Sequence, residues 1–250
     1  MNSVLIMMWE RQVKEYFRNK YRMLATLMLP FLFLIAFGFG ISPMFEQTGN
    51  GNYIQYLLPG IIGMTILMGS TMNGMSLIWD KKFGFLKETL VAPVSRTSLL
   101  FGRCLGGATT SIFQGIIVLI LGILLMGFQI TDMLLLLIAI PFMFLIALFF
   151  NLLGTSFASV FDDMQSFPII INFLVMPMFF LSGALFPINN FPDIIKFIAS
   201  INPFTYCVEL LRFGFGTVVE FNVIFSFSIL ISLIVFLGII GTHLFNKIEP

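Results

Sequence analysis

Phe180-Leu-Ser-Gly-Ala-Leu-Phe-Pro187 is followed by Asn189-Asn-Phe-Pro192, then by Asn202-Pro-Phe-Thr-Tyr206, and closes on Glu209-Leu-Leu-Arg212. This stretch is too polar and too broken by proline to cross a bilayer, yet too apolar for an ordinary hydrophilic loop. Irregular backbone at membrane depth persists only where protein or a water-filled cavity satisfies its amides. In a membrane protein, the structure built around such a segment is usually a pathway or a gate.

The rest of the chain says that the setting is a membrane. Charged residues make up 10% of the 250, against roughly 25% in a soluble domain. Mean hydropathy is +1.02, and there are 32 Phe and 16 Met. No soluble core of this length buries that much apolar surface, so the composition defines a polytopic membrane protein. A formal net charge of +1 leaves no basic excess to neutralise phosphates, which argues against a nucleic-acid partner. Residues 1–22 hold five basic and two acidic residues ahead of an apolar run longer than a signal core, and so read as the approach to a retained anchor.

Six spans are expected: 23–45, 53–79, 104–128, 133–160, 167–185 and 221–245. Each reaches or approaches the ~20 apolar residues that cross the hydrocarbon core, and the fourth is long enough to tilt or to end in cytosol. With the N-terminus inside, the inner segments carry 11 Lys and Arg and the outer ones only Lys196 and Arg212. Both termini are therefore expected in the cytosol of a multi-pass cell-membrane protein. Cys104 and Cys207 then fall on opposite faces and do not pair; they read as small apolar filler.

Within residues 2–22, Leu5, Met8, Trp9, Val13, Tyr16 and Phe17 recur near helical spacing between Arg11, Lys14, Arg18 and Arg22. The pattern predicts an amphipathic helix in the headgroup layer, basic side toward anionic lipid, or a basic stretch that sets topology. Small residues at Gly107, Ser111 and Gly115, and again at Gly154 and Ala158, let helices approach closely. Packing within the subunit is favoured over a dimer seam. The polar residues inside spans are Asn73, Gln114, Asn151 and Asn172, each helix glue or a pathway-lining group.

Little catalytic chemistry is on offer. His243 is alone at the end of the last span, with no metal-ligand partner near it in sequence. Asp162-Asp163 reads as the acidic tip of a short turn rather than an acid–base pair. No Gly-x-x-x-x-Gly-Lys-Ser/Thr occurs, so ATP would have to be bound elsewhere. No Asp, Glu, Lys or Arg lies deep within a span, which argues against a proton- or sodium-coupled pump.

Between spans two and three, residues 80–103 form a basic loop in which the sequence predicts a short helix from Phe85 to Val91, stopped before Pro93. Phe85, Leu86 and Leu90 give it an apolar side, and Lys87 and Glu88 a charged one. Such a helix suits a partner's groove, with the rim charges fixing register; a loop that only sets topology is the alternative. In the opening stretch, Asp193–Ser200 and Phe204–Phe213 read as short helices separated by Asn202-Pro203, with Glu209 and Arg212 spaced to pair.

The order Leu-Ser-Gly, Phe-Pro, a second Pro, Asn-Pro-x-Thr-Tyr and Glu-x-x-Arg resembles the closing signature of ABC type-2 exporter permeases, and the resemblance continues through Asp80–Arg103. It implies an all-α permease domain over residues 1–250. Within it would lie an interfacial helix at 1–22, a coupling helix within 80–103 and an outer re-entrant hairpin at 186–215. The coupling set would be Asp80, Gly84, Phe85, Glu88, Pro93, Arg96 and Arg103. Gly84 and Glu88 match a Gly-x-x-x-Glu element, and Pro93, Arg96 and Arg103 match the tail that follows it. Ser182, Gly183, Phe186 and Pro187 would lead into the hairpin, and Asn202, Pro203, Tyr206, Glu209 and Arg212 would hold its shape.

The resemblance further implies a homodimer with two copies of a separate ATPase, which binds the ATP and Mg, so that this chain holds no cofactor and does no covalent chemistry. The branch resembled includes daunorubicin-resistance and nodulation-factor export permeases, implying outward movement of an amphiphilic drug, lipid or lipid-linked glycan. A secondary transporter or channel needing no ATPase, and a non-transport scaffold or intramembrane enzyme, are the alternatives.

Overall fold

The computed structural model describes residues 2–47, 52–91, 94–130 and 132–248. Eleven α-helices follow one another through these residues, with no strand among them: α1 (Asn2–Arg18), α2 (Lys20–Gln47), α3 (Tyr53–Asn73), α4 (Met75–Lys82), α5 (Phe85–Val91), α6 (Arg96–Met126), α7 (Met133–Val160), α8 (Ser166–Phe180), α9 (Asp193–Ile201), α10 (Pro203–Gly214) and α11 (Val223–Asn246).

Local sequence sets the helix ends. The Asn52, Asp132 and Asn222 side chains accept the amides of Ile54, Leu134 and Ile224 at 2.9, 2.8 and 2.9 Å, opening α3, α7 and α11, as N-capping side chains do. Helix α6 closes on Gly127, whose φ of 68° is left-handed. The long apolar helices then sort by neighbours. Helix α3 is the hub, packed against α2, α6, α7, α8 and α10, and its residues Leu57, Leu58, Ile61, Ile62, Ile66 and Leu67 are wholly buried. Helices α2 and α11 lie at the periphery and expose most of their apolar surface, as helices facing lipid do.

Among the described residues, five segments are long and apolar enough to cross a membrane, and a sixth qualifies if α9 and α10 are counted as one broken span. The expected fifth span, 167–185, is shorter than the sequence suggested. Helix α8 has 15 residues, a rise of ~22 Å at 1.5 Å per residue, against a hydrocarbon core of about 30 Å. It stops because the chain turns. Ser182 Oγ donates to the Phe179 carbonyl at 2.7 Å and accepts from the Ala184 amide at 3.2 Å, and Gly183 takes φ 79°, a conformation open to glycine and costly for other residues. The third span is longer than expected, because its helix runs on from Arg96, and the second is interrupted at Gly74.

Helix α1 forms where the amphipathic pattern places it, but it is seated on protein. Met8, Gln12 and Tyr16 are buried, while Trp9 and Phe17 remain exposed. A Cβ on Gly102 would lie 2.8 Å from the Leu5 carbonyl oxygen, and one on Gly106 would lie 2.9 Å from that of Trp9. Only glycine allows the two backbones this close.

The stripe of small residues does pack within the subunit. A Cβ on Gly115 would meet Met143 at 2.6 Å, and one on Gly154 would meet the Thr71 carbonyl oxygen at 2.4 Å. Cys104 and Cys207 are buried and unpaired.

Candidate functional site: a basic face and a re-entrant hairpin

One end of the bundle gathers the basic residues. Asp80, at the end of α4, is nearly buried, and two arginines converge on it. Arg11 of α1 donates through Nη1 and Nη2 to its two carboxylate oxygens at 3.0 and 2.6 Å. Arg103 of α6 pairs with the same carboxylate and donates to Ser76 Oγ at 3.0 Å. The Arg11 guanidinium also lies 3.8 Å from the centroid of the Phe85 ring, a cation–π distance. Helices α1, α4 and α6 and the first residue of α5 are thus joined through one carboxylate.

Helix α5 spans Phe85–Val91, as the sequence predicts. Gly84 turns the chain into it with φ 81°, and the Gly84 carbonyl accepts the Glu88 amide at 3.3 Å. The Gly-x-x-x-Glu spacing is therefore one turn of helix. Leu86 is buried, whereas Lys87, Glu88 and Val91 are exposed. Among the described residues the Glu88 side chain has no hydrogen-bond or ion-pair partner.

The other expected coupling residues divide. Asp80 and Arg103 are internal. Arg96 faces the residues that close α11, donating through Nη1 to the carbonyls of Asn246 and Ile248 at 2.7 and 2.9 Å. Pro93 lies outside the described residues. Arg11 was missed. The sequence places Asp80 beside Lys81 and Lys82, but which base meets it depends on where α1 packs. Nearby, Asp162 pairs with Lys81 at 2.9 Å, and Asp163 accepts the Gln165 and Ser166 amides at 3.2 and 2.9 Å. Its bond to the Ser166 hydroxyl, with those two amides, holds the Asp163 carboxyl below the ordinary carboxylate range.

At the opposite end, α9 and α10 meet at 81°. The tip is tied into the bundle: Asn202 Nδ2 donates to the Met178 carbonyl at 2.6 Å, and its Oδ1 accepts the Phe204 amide at 3.0 Å. Tyr206 OH and Thr205 Oγ1 reach back to the carbonyls of Ser200 and Ala199 at 2.5 and 2.7 Å. The Phe204 ring packs on Phe150 of α7, centroids 5.9 Å apart, and would sit 3.1 Å from a Cβ on Gly63, the eleventh residue of α3. The hairpin therefore descends to the middle of the bundle and returns.

Its return arm ends on a buried charge. Arg212 is 0% exposed. It donates to Glu209 Oε1 at 2.8 Å and to the Gly183 carbonyl at 2.7 Å, and its guanidinium lies 3.8 Å from the Tyr56 ring centroid. Glu209 Oε2 accepts the amides of Glu220 and Phe221 at 2.6 and 2.9 Å. Tyr56 OH and Tyr53 OH hold the carbonyls of Gly183 and Leu185 at 2.7 and 3.0 Å. Ser182 and Gly183 belong to this cluster, as do Glu209 and Arg212. Phe186 is 40% exposed, and Pro187 precedes the 3₁₀ turn Ile188–Asn190. In the connection beyond, burial pushes the Glu220 carboxyl above its ordinary range.

The intramembrane amides also divide. Asn73 Nδ2 donates to the Gly107 carbonyl at 3.2 Å and to Asn151 Oδ1 at 3.3 Å, and Asn151 Nδ2 donates to the Ala147 carbonyl at 2.8 Å. These two fasten α3, α6 and α7. Gln114 Nε2 donates to Tyr16 OH at 2.9 Å and Thr26 Oγ1 at 3.2 Å. Asn172 is apart from them, exposed on α8 beside Phe173.

The structure is thus a bundle of long apolar helices with a short charged helix presented at one end and the broken α9–α10 pair locked into the other. The chain belongs to the ABC-2 type transporter family, whose profile matches residues 3–216. It is 31% identical over 245 residues to a putative transport permease, ycf38, of Cyanophora paradoxa, covering 92% of this chain and 83% of that one. It is 24% identical over 229 residues to the inner membrane transport permease YadH of Escherichia coli K12, covering 91% and 88%. It is also 24% identical over 213 residues to nodulation protein J of Rhizobium leguminosarum bv. trifolii, covering 83% and 79%. The protein is thus a multi-pass membrane permease of a family that works with an ABC ATPase.

Proposed function

We propose that this chain is the membrane subunit of an ATP-driven exporter, working as a homodimer with two copies of a separate ATPase that binds the ATP and Mg. It would move an amphiphilic drug, lipid or lipid-linked glycan outward across the cell membrane. Both termini and α5 then face the cytosol, and the α9–α10 hairpin roofs the exit.

The observation that carries this reading is the presentation of α5. Its exposed Glu88 stands on a helix whose first residue touches Arg11, and Arg11 is clamped to α4 and α6 through Asp80. Force applied by an ATPase at Glu88 would reach three helices without passing through a flexible linker. Discontinuous coupling elements of this kind act by shifting packed helices as units. The cargo class rests on the resemblance to daunorubicin-resistance and nodulation-factor export permeases and on the apolar, Met-rich spans, since Met adapts to irregular ligands.

The test is reconstitution in lipid nanodiscs with the ATPase encoded beside this chain, comparing wild type with Glu88→Ala. The expected outcome is two ATPases per two permeases for wild type, and weaker binding or hydrolysis uncoupled from export for Glu88→Ala, with folded yield unchanged. Absence of ATPase binding with nucleotide present would remove the reading.

A further inference from the structure

Behind α5 on the basic face lies a cleft of about 310 Å³ in which neither Glu88 nor the Asp80 clamp takes part. Leu86 and Leu90 of α5, with Ile248 across from them, line it with apolar surface. Among the described residues, the charged side chains around it are those of Lys81, Lys87, Lys247 and one acid, Asp162.

These charges are not equivalent. The Lys81 ammonium is fully engaged, donating to the carbonyls of Ser159 and Phe161 at 2.9 and 3.4 Å and to Asp162 at 2.9 Å; it is part of the wall and neutralises the acid. Among the described residues, the side chains of Lys87 and Lys247 have no hydrogen-bond or ion-pair partner. Nor is the Lys247 wall loose, because Arg96 holds the carbonyls on either side of it. Two cations with no partner among the described residues therefore flank a partly apolar slot. Their mutual repulsion is relieved by an anion placed between them.

We propose that this cleft receives a carboxylate-bearing segment of the ATPase subunit, whose apolar residues cover the half-buried Leu90 and Ile248 while its acids meet Lys87 and Lys247. The proposal rests on the reading of α5 as the ATPase-docking helix and supplies the chemistry of the partner at that face. A peptide fits better than a lipid headgroup or free phosphate. Only two ammoniums are available to an isolated anion, whereas a segment also removes the apolar lining from water.

The test measures the Kd of the ATPase for the permease across a salt series. The permeases are wild type, Lys87→Gln/Lys247→Gln and Lys87→Glu/Lys247→Glu, in nanodiscs with and without phosphatidylglycerol. The charge-reversed pair should bind roughly tenfold or more weakly, the neutral pair should fall between, and the salt dependence of wild type should flatten in both. The neutral pair keeps the result readable should reversal disturb insertion. If the ATPase binds wild type and both pairs retain its Kd and salt dependence, the cleft proposal fails while α5 docking stands. If no ATPase binds wild type, both fall. If the variants weaken binding only with phosphatidylglycerol present, the cleft serves a lipid and the proposal is overturned.

Discussion

Arg11 shows how a residue's role changes once its neighbours are known. On a helix of mixed charge it reads as one more cation for the headgroup layer. In place, it chelates Asp80 with two nitrogens and lies over the Phe85 ring. Both contacts need a planar fork, so lysine is not an equivalent. Arg103 also holds Asp80 and is more deeply buried, so losing Arg11 does not strand the carboxylate. Arg11→Ala is therefore expected to leave folded yield near wild type while lowering export per ATP hydrolysed several-fold, with Arg11→Lys restoring little. Transport and phosphate release measured on the same reconstituted sample check this. Recovery by lysine would mean that charge alone matters at the position.

At the scale of the element, the α9–α10 hairpin and its lock were largely legible, and so was α5. Asn-Pro marks the break, Asn202 caps the helix that follows, and Glu209 and Arg212 pair at the spacing that local helix geometry provides. Helix α8 was not, because its apolar run continues past Phe180 while the turn at Ser182–Gly183 ends the helix. The burial of Arg212 also alters what its removal should do. Arg212→Ala leaves Glu209 charged inside the bundle, and breaking a buried pair costs about 3–5 kcal/mol. The single variant should lose thermal stability as well as export. Glu209→Gln with Arg212→Met should recover most of the stability without recovering export, if the lock acts in gating. Melting temperatures in detergent alongside nanodisc transport separate the two effects. Full recovery of both would reduce the ion pair to a structural fastening.

For the whole molecule, the interior is occupied. Helix α3 fills the centre, and its inward residues are wholly buried; in the homodimer proposed above, passage would run between subunits rather than through one. Helix α8 presents an apolar face on which Phe173 is 82% exposed, with one polar exception beside it, the exposed Asn172. An amide is unfavourable against lipid and suits a second subunit or a pathway. In a Cys104→Ala/Cys207→Ala background, Phe173→Cys is expected to form a disulfide-linked homodimer on mild oxidation, and Val235→Cys, on α11, is not. Cross-linking at Val235 alone would move the dimer seam to α11.

The sequence by itself determined the class, the number of long apolar segments to within the α8 and α9–α10 ambiguity, the short helix at Phe85 and the hairpin break at Asn202-Pro203. Those features depend on composition, hydropathy and residues a few positions apart. Tertiary structure alone decided that α1 seats on Gly102 and Gly106, that Arg11 meets Asp80 and that Arg96 holds the residues that close α11. It alone decided that Asn73 and Asn151 share one polar junction while Asn172 stands apart. Each of these joins helices far apart in the chain. Hydropathy is the same all round a lipid-bathed helix, so rotation and neighbour are set by close packing and a few buried polar pairs.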